Sequence, residues 1–178
     1  MAARRGDERA WIRGAQQGSV SDLEALFRHH WPKAYRAAYL VVHDAGAAED
    51  IAQESFLAAV RGLDRFDRRR PFGPWLHRIV VNRAIDWSRA RALRRESGNA
   101  ALEVVAAPAA PDNPHAQTLA AALGSLSPEH RAVIVLRHLL EYTPGEIAEV
   151  LGLPRGTVNS RLRRGLDELA ARFGEELQ

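Results

Sequence analysis

The chain contains no cysteine, and Lys33 is the single lysine among its 25 basic residues. The first absence excludes a disulfide framework, a thiol nucleophile and a cysteine-based zinc site. No long apolar run, secretory leader or apolar-polar alternation occurs, so neither a membrane span nor a sheet is expected. The histidines, His29, His30, His43, His77, His115, His130 and His138, are scattered, and the adjacent His29 and His30 read as surface helix. None forms an HExxH pair and no glycine-rich phosphate loop follows a strand, so no catalytic residue, metal site or cofactor is expected. These exclusions leave a soluble, cytoplasmic, all-α protein as the expectation.

What is present is arranged in two parts. At 178 residues and 46% hydrophobic, the chain can bury one ordinary core or two small ones. Residues 97–116 decide for two: they lack helical periodicity and carry Ala runs with Pro108, Pro111 and Pro114. We read a helical module over 1–96, a flexible linker over 97–116 and a second helical module over 117–178.

Residues 143–164, TPGEIAEVLGLPRGTVNSRLRR, read as a helix-turn-helix. Thr143, Pro144 and Glu146 form a capping box with proline at the first helical position, and Gly152 ends the helix. Val158, Leu162, Leu166 and Leu169 then recur at helical spacing and dock the second helix. That stripe turns Gly156, Ser160, Arg163 and Arg164 outward, with Asn159 and Arg161 on the flanks. Amide, hydroxyl and guanidinium groups read base edges and grip phosphates, so this helix suits a major groove. Upstream, Ser127 caps a supporting helix opened by Pro128, with Val133, Leu136 and Leu140 as its apolar stripe.

Charge placement separates two further surfaces. Residues 61–95 hold eleven arginines against Asp64, Asp67 and Asp86, a local balance of +8, although the whole chain is only +3. Residues 44–55 carry Asp44, Glu49, Asp50 and Glu54 and no basic group. An acidic patch beside a basic one suggests two different partners. Residues 74–95 read as a long amphipathic helix with Leu76, Ile79, Val80, Ala84 and Trp87 inward and Trp75, Arg78, Asn82, Asp86 and Arg89 outward. An aromatic among arginines suits unstacked bases. The preceding loop, with Phe66, Arg68, Arg69, Arg70 and Phe72, has the composition of a pocket for an extruded base. Phe66, Phe72 and Trp75 read equally well as lids over the bundle core.

Taken in order, residues 48–56 (AEDIAQESF), Trp75-Leu76-His77-Arg78-Ile79 with Asn82 and Asp86, Gly145-Glu146-Ile147-Ala148, Gly156-Thr157-Val158 and Ser160-Arg161-Leu162 resemble the extracytoplasmic-function sigma factors of the sigma-70 family. The resemblance spans roughly residues 8–173. It implies that Asp50, Gln53, Glu54 and Phe56 meet core RNA polymerase, with Ile51 as ordinary core. It implies that Phe66, Phe72, Trp75, Arg78, Asn82, Arg83, Asp86 and Arg89 engage the promoter −10 element, the two phenylalanines around a flipped base. Arg155, Thr157, Asn159, Ser160, Arg161, Arg163 and Arg164 would meet the −35 element. An anti-sigma protein that wraps the modules or wedges between them is the further implied partner, and no membrane insertion is expected.

Two departures stand out: a basic residue is common in the family at Asn159, and alanine at Gly165. The glycine should weaken its helix by about 0.5 to 1 kcal/mol. The leading rival from another class is a stand-alone helix-turn-helix regulator that never binds polymerase. It leaves the acidic patch and the aromatic-basic stripe without a purpose. An enzyme lacks its constellation of side chains, and a single-strand RNA-binding module leaves the C-terminal motif unexplained.

Overall fold

The structure, a computed structural model, describes residues 5–96 and 121–176, and its regular elements are all helical. The linker read over 97–116 lies outside the described residues. The first module comprises α1 (Arg5–Gln16), α2 (Val20–Val42), α3 (Ala45–Gly62) and α4 (Phe72–Glu96), with a 3-10 turn at Leu63–Arg65. The second comprises α5 (Pro128–Ile134), a π-helical turn at Val135–Leu139, α6 (Pro144–Leu151) and α7 (Arg155–Glu176), preceded by helical residues 121–125.

Local chemistry sets the boundaries. The Ser19 hydroxyl accepts the Asp22 N–H at 3.3 Å and starts α2, which ends at His43 in the left-handed region. Asp44 then starts α3 by accepting the Ala47 N–H at 2.9 Å. Its other carboxylate oxygen takes Arg91 of α4 at 3.2 Å. One member of the acidic patch is therefore a cap and a brace between helices. Ser127 and Pro128 open α5 as expected, the Ser127 hydroxyl accepting the His130 N–H at 3.2 Å.

Small residues let α2 lie close to its neighbours: Ala34, Ala37, Ala38 and Val41 are fully buried. They pack on Ala48 and Ala59 of α3 and on Leu76, Val80 and Ala84 of α4 within one apolar cluster. The cluster runs on into the second module through Val133, Leu136, Ile147 and Val158. Two sequence expectations change here. Helix α4 is buried over a broader arc than one stripe, since His77, Val81 and Ile85 are also inside, whereas Ile79 and Trp87 are only half-buried. It is covered by α2 and α3 on one flank and by α5 and α6 on another. His30 is not a surface residue either; it is buried against Phe72 and bonded to the Glu8 carboxylate at 2.8 Å.

His77 lies at the seam of the modules, its Nδ1 hydrogen-bonded to the Tyr142 hydroxyl at 2.7 Å. Burial, and secondarily the charges of His30 and Lys33, push its pKa down from 6.5 to about 3. The folded chain thus refuses a proton that the unfolded chain accepts. The His77 contribution to stability is complete above pH 6.5 and is lost as the solution is acidified towards pH 3. We expect a loss of up to ~1.4 kcal/mol per pH unit from this group, measured as a falling urea midpoint. A His77→Gln chain with an equally steep profile would remove His77 as the cause.

Candidate nucleic-acid interface

The C-terminal helix-turn-helix is built by its turn. The Thr143 hydroxyl accepts the Glu146 N–H at 3.3 Å, and the Glu146 carboxylate accepts the Thr143 N–H at 2.8 Å. These bonds, to the Thr143 N–H first and its hydroxyl next, hold the Glu146 carboxyl below the usual range. Gly152 closes α6 at φ 65°, a conformation that costs a residue with a Cβ and costs glycine little. The next helix therefore leaves at a fixed angle.

Val158, Leu162 and Leu169 of α7 are buried, but Leu166 is 44% exposed. The inward position one residue earlier belongs to Gly165. A Cβ there would approach Ile134 Cδ1 to 2.8 Å and His130 Cβ to 3.3 Å. The glycine lets α5 and α7 cross closely, so its low helix propensity is offset by contact. We expect Gly165→Ala to change stability little, the propensity gain of about 0.5 to 1 kcal/mol being cancelled by displacement of the Ile134 tip. Gly165→Leu should cost about 1 to 3 kcal/mol in chemical denaturation.

On the opposite side of α7, Arg155, Gly156, Asn159, Arg163 and Arg164 are exposed, and Thr157, Ser160 and Arg161 are half-buried. Among the described residues, no carboxylate pairs with Arg155, Arg163 or Arg164. Among the described residues, three cations and an amide thus face solvent without a carboxylate partner along nearly three turns of one helix.

In the first module, Arg78, Asp86 and Arg89 are exposed on α4, and Trp75, Asn82 and Arg83 are half-buried. Arg83 donates to Glu54 of α3 at 2.7 Å, and Arg89 donates to Glu129 of α5 at 2.6 Å. Of the two readings the sequence left open for the loop phenylalanines, the free chain adopts the lid over the core. Phe66 and Phe72 are 9% and 3% exposed, in edge contact at 5.7 Å, and both meet the Trp75 ring, at 4.6 and 5.5 Å. The Gln16 amide draws the loop inward, donating to the carbonyls of Leu63 at 2.8 Å and Phe66 at 3.1 Å. Two rings that plug the core offer no open face to a base. The outward groups of the loop are Arg68 and Arg69, which line a cleft with Arg9 and Arg13 of α1. Sequence reasoning missed the α1 arginines because only the tertiary fold brings them to the loop.

The acidic face needs one correction as well. Asp50, Gln53 and Glu54 are exposed on α3, but Phe56 is 5% exposed and packs against Phe27 at 4.9 Å and Trp31 at 6.1 Å. Ile51 is buried beside it, as expected of a core residue. Leu57 and Val60, 55% and 38% exposed, are the apolar groups on the solvent side. They follow Asp50 and Gln53 at three- and four-residue steps, a pattern legible in the sequence once the inward face is known.

Comparison with known proteins follows the same division. The first module matches the Sigma-70 region 2 family over residues 26–94, and the second matches the Sigma-70, region 4 family over residues 116–169. The fold and its exposed recognition helix thus define a two-part helical protein of the sigma-70 type. The ECF RNA polymerase sigma factor SigW of Bacillus subtilis (strain 168) is 30% identical over 172 residues, 89% of this chain and 90% of that protein. The chain belongs to the extracytoplasmic-function sigma factors of the sigma-70 family. CnrH, solved in complex with the cytosolic domain of CnrY, superposes with a TM-score of 0.71 at 29% identity, covering 95% of this chain and 98% of that one. The sigma factor RpoE from Bartonella quintana, solved with the anti-sigma factor NepR, gives 0.69 at 27%, covering 84% and 95%.

Proposed function

We propose that this chain binds core RNA polymerase in the bacterial cytoplasm and directs it to promoters by reading the −10 and −35 elements. It acts by binding, with no reaction of its own. The observation that carries the reading is the α7 face, where Asn159, Arg163 and Arg164 stand exposed on a helix whose other side is locked into the core. Arg155 and Arg161 grip phosphate beside them, and Thr157 and Ser160 complete the −35 set. Residues 1–96 and 117–178 act as separate readers, joined through 97–116.

Asp50, Gln53 and Glu54 steer α3 to basic groups on the polymerase, and Leu57 and Val60 supply the apolar contact in place of Phe56. On α4, Arg78, Asn82, Arg83, Asp86 and Arg89, with the exposed part of Trp75, form the −10 surface. Because Phe66 and Phe72 are core, the loop contributes guanidinium groups to strand capture. The neighbour solved with the anti-sigma factor NepR supports a protein of the anti-sigma class as a further partner. Among the described residues, no helix is long and apolar enough to cross a membrane.

Run-off transcription by core polymerase on a promoter library tests the reading as a whole, and absence of initiation together with failure to co-elute with core would refute it. Asn82→Ala tests the −10 assignment: polymerase association should persist while open-complex formation drops. Permanganate reactivity of the bubble equal to that of the unaltered protein would remove Asn82 from the surface.

A further inference from the structure

The cleft between α1 and the loop that precedes α4 has a volume of about 370 Å³ and is lined by Arg9, Arg13, Arg68 and Arg69. Local structure holds its two walls in register. The Gln16 amide at the end of α1 donates to the Leu63 and Phe66 carbonyls at 2.8 and 3.1 Å, which ties the helix to the start of the loop. Asp67 shapes the loop itself. One of its carboxylate oxygens accepts the Arg69 N–H at 3.0 Å and the Arg69 Nε–H at 3.1 Å, and its carbonyl accepts the Arg70 N–H at 2.9 Å. Phe66 and Phe72 anchor the loop in the core on either side of the arginines.

Charge around the cleft is unbalanced. All four arginines are exposed, and among the described residues only Arg69 has a carboxylate partner, Asp67. Like charges gathered round one hollow repel one another, and a bound polyanion removes that repulsion. The residue type narrows the anion further. A guanidinium presents paired N–H donors that match two phosphate oxygens, so four of them suit several adjacent phosphates better than one carboxylate. Among the described residues the lining is arginine alone, with no ring to stack on a base and no amide to read its edge.

We propose that this cleft is a phosphate-chain site, completed by Arg9 and Arg13 of α1, which grips adjacent phosphates without regard to base sequence. Two sources carry that chemistry: a free oligophosphate, and the backbone of a single nucleic-acid strand. The strand source rests on the promoter-binding reading above, because the Phe66 ring at the root of the loop lies 4.6 Å from the Trp75 ring of the −10 surface. The free source is independent of that reading.

The test uses the full chain with two probes, sodium tripolyphosphate in calorimetry and a fluorescent oligothymidine strand in anisotropy titrations at several salt concentrations. Arg9→Gln with Arg13→Gln removes two charges from the α1 wall. Arg36→Gln with Arg172→Gln removes the same charge at exposed positions elsewhere. The α1 pair should weaken binding of at least one probe by about tenfold or more, and the reference pair by less than about twofold. For the strand, the dependence of affinity on salt should also flatten by about one unit of slope. A loss confined to tripolyphosphate assigns the free source, a loss confined to the strand assigns nucleic acid, and a loss of both defines a site that accepts either. Equal losses in the two pairs, or no binding of either probe by the unaltered chain, would overturn the site. Arg68→Gln with Arg69→Gln, on the opposite wall, should give the same loss and keeps the test decisive if the α1 pair disturbs folding. Run-off transcription by the unaltered protein reports on the promoter reading separately: its failure removes the strand source and leaves the tripolyphosphate result standing.

Discussion

Replacing Arg163 and Arg164 by alanine is expected to weaken binding to a −35 duplex by about 1 to 3 kcal/mol for each bidentate base contact removed. Where a phosphate contact is lost instead, the dependence of affinity on salt should flatten by about one unit of slope. The unfolding free energy should stay within about 0.5 kcal/mol of its original value, because both side chains are exposed and, among the described residues, unpaired. The helix is held by Val158, Leu162 and Leu169 from its other side. Binding and folding therefore separate at these two positions. Electrophoretic or anisotropy titrations at several salt concentrations measure the first, and urea denaturation the second. Promoter binding unchanged in the double variant would take the recognition role away from this face.

Phe72→Ala should do the opposite. The ring is 3% exposed and is enclosed by Phe66, Trp75 and His30, with centroids 5.7, 5.5 and 5.0 Å away. Its removal loses buried area and leaves a cavity between α2, α4 and the loop, a cost of about 3 to 5 kcal/mol. That is a large share of the stability of an ordinary domain. A fall in unfolding free energy of that size is expected in urea denaturation, while Phe72→Leu should retain much of the stability. If Phe72 stacked on an extruded base instead, alanine would leave stability almost unchanged and abolish single-strand capture. Denaturation and oligonucleotide binding on the same variant decide between these outcomes.

The contrast between these two sites shows what kind of information was legible. Thr143, Pro144, Glu146 and Gly152 announce the helix-turn-helix because capping and a left-handed turn are set within a few residues of chain. The outward set on α7 follows from helical geometry alone. By contrast, Phe56, Phe66 and Phe72 are aromatic residues beside charged ones, and composition fits a stacking surface or a core plug equally well. Leu57, Leu166 and His30 were misassigned or missed for a related reason. A helical stripe is only as wide as the surfaces that cover it, and the covering elements here are distant in sequence. Helix α4 makes the point most fully, because covering on two flanks erases the single polar-apolar division that its sequence suggested.

By itself, the sequence determined the helical class, the caps, the helix-turn-helix with its outward arginines, and the separation of acidic from basic charge. These depend on interactions over one to four residues and on the 3.6-residue repeat. Only the tertiary structure decided which aromatics are core, why glycine stands at 165, that Arg9 and Arg13 join the loop arginines, and that Arg89 of α4 reaches Glu129 of α5. Those outcomes depend on which distant helices come within van der Waals or hydrogen-bonding reach, and no local pattern encodes that proximity.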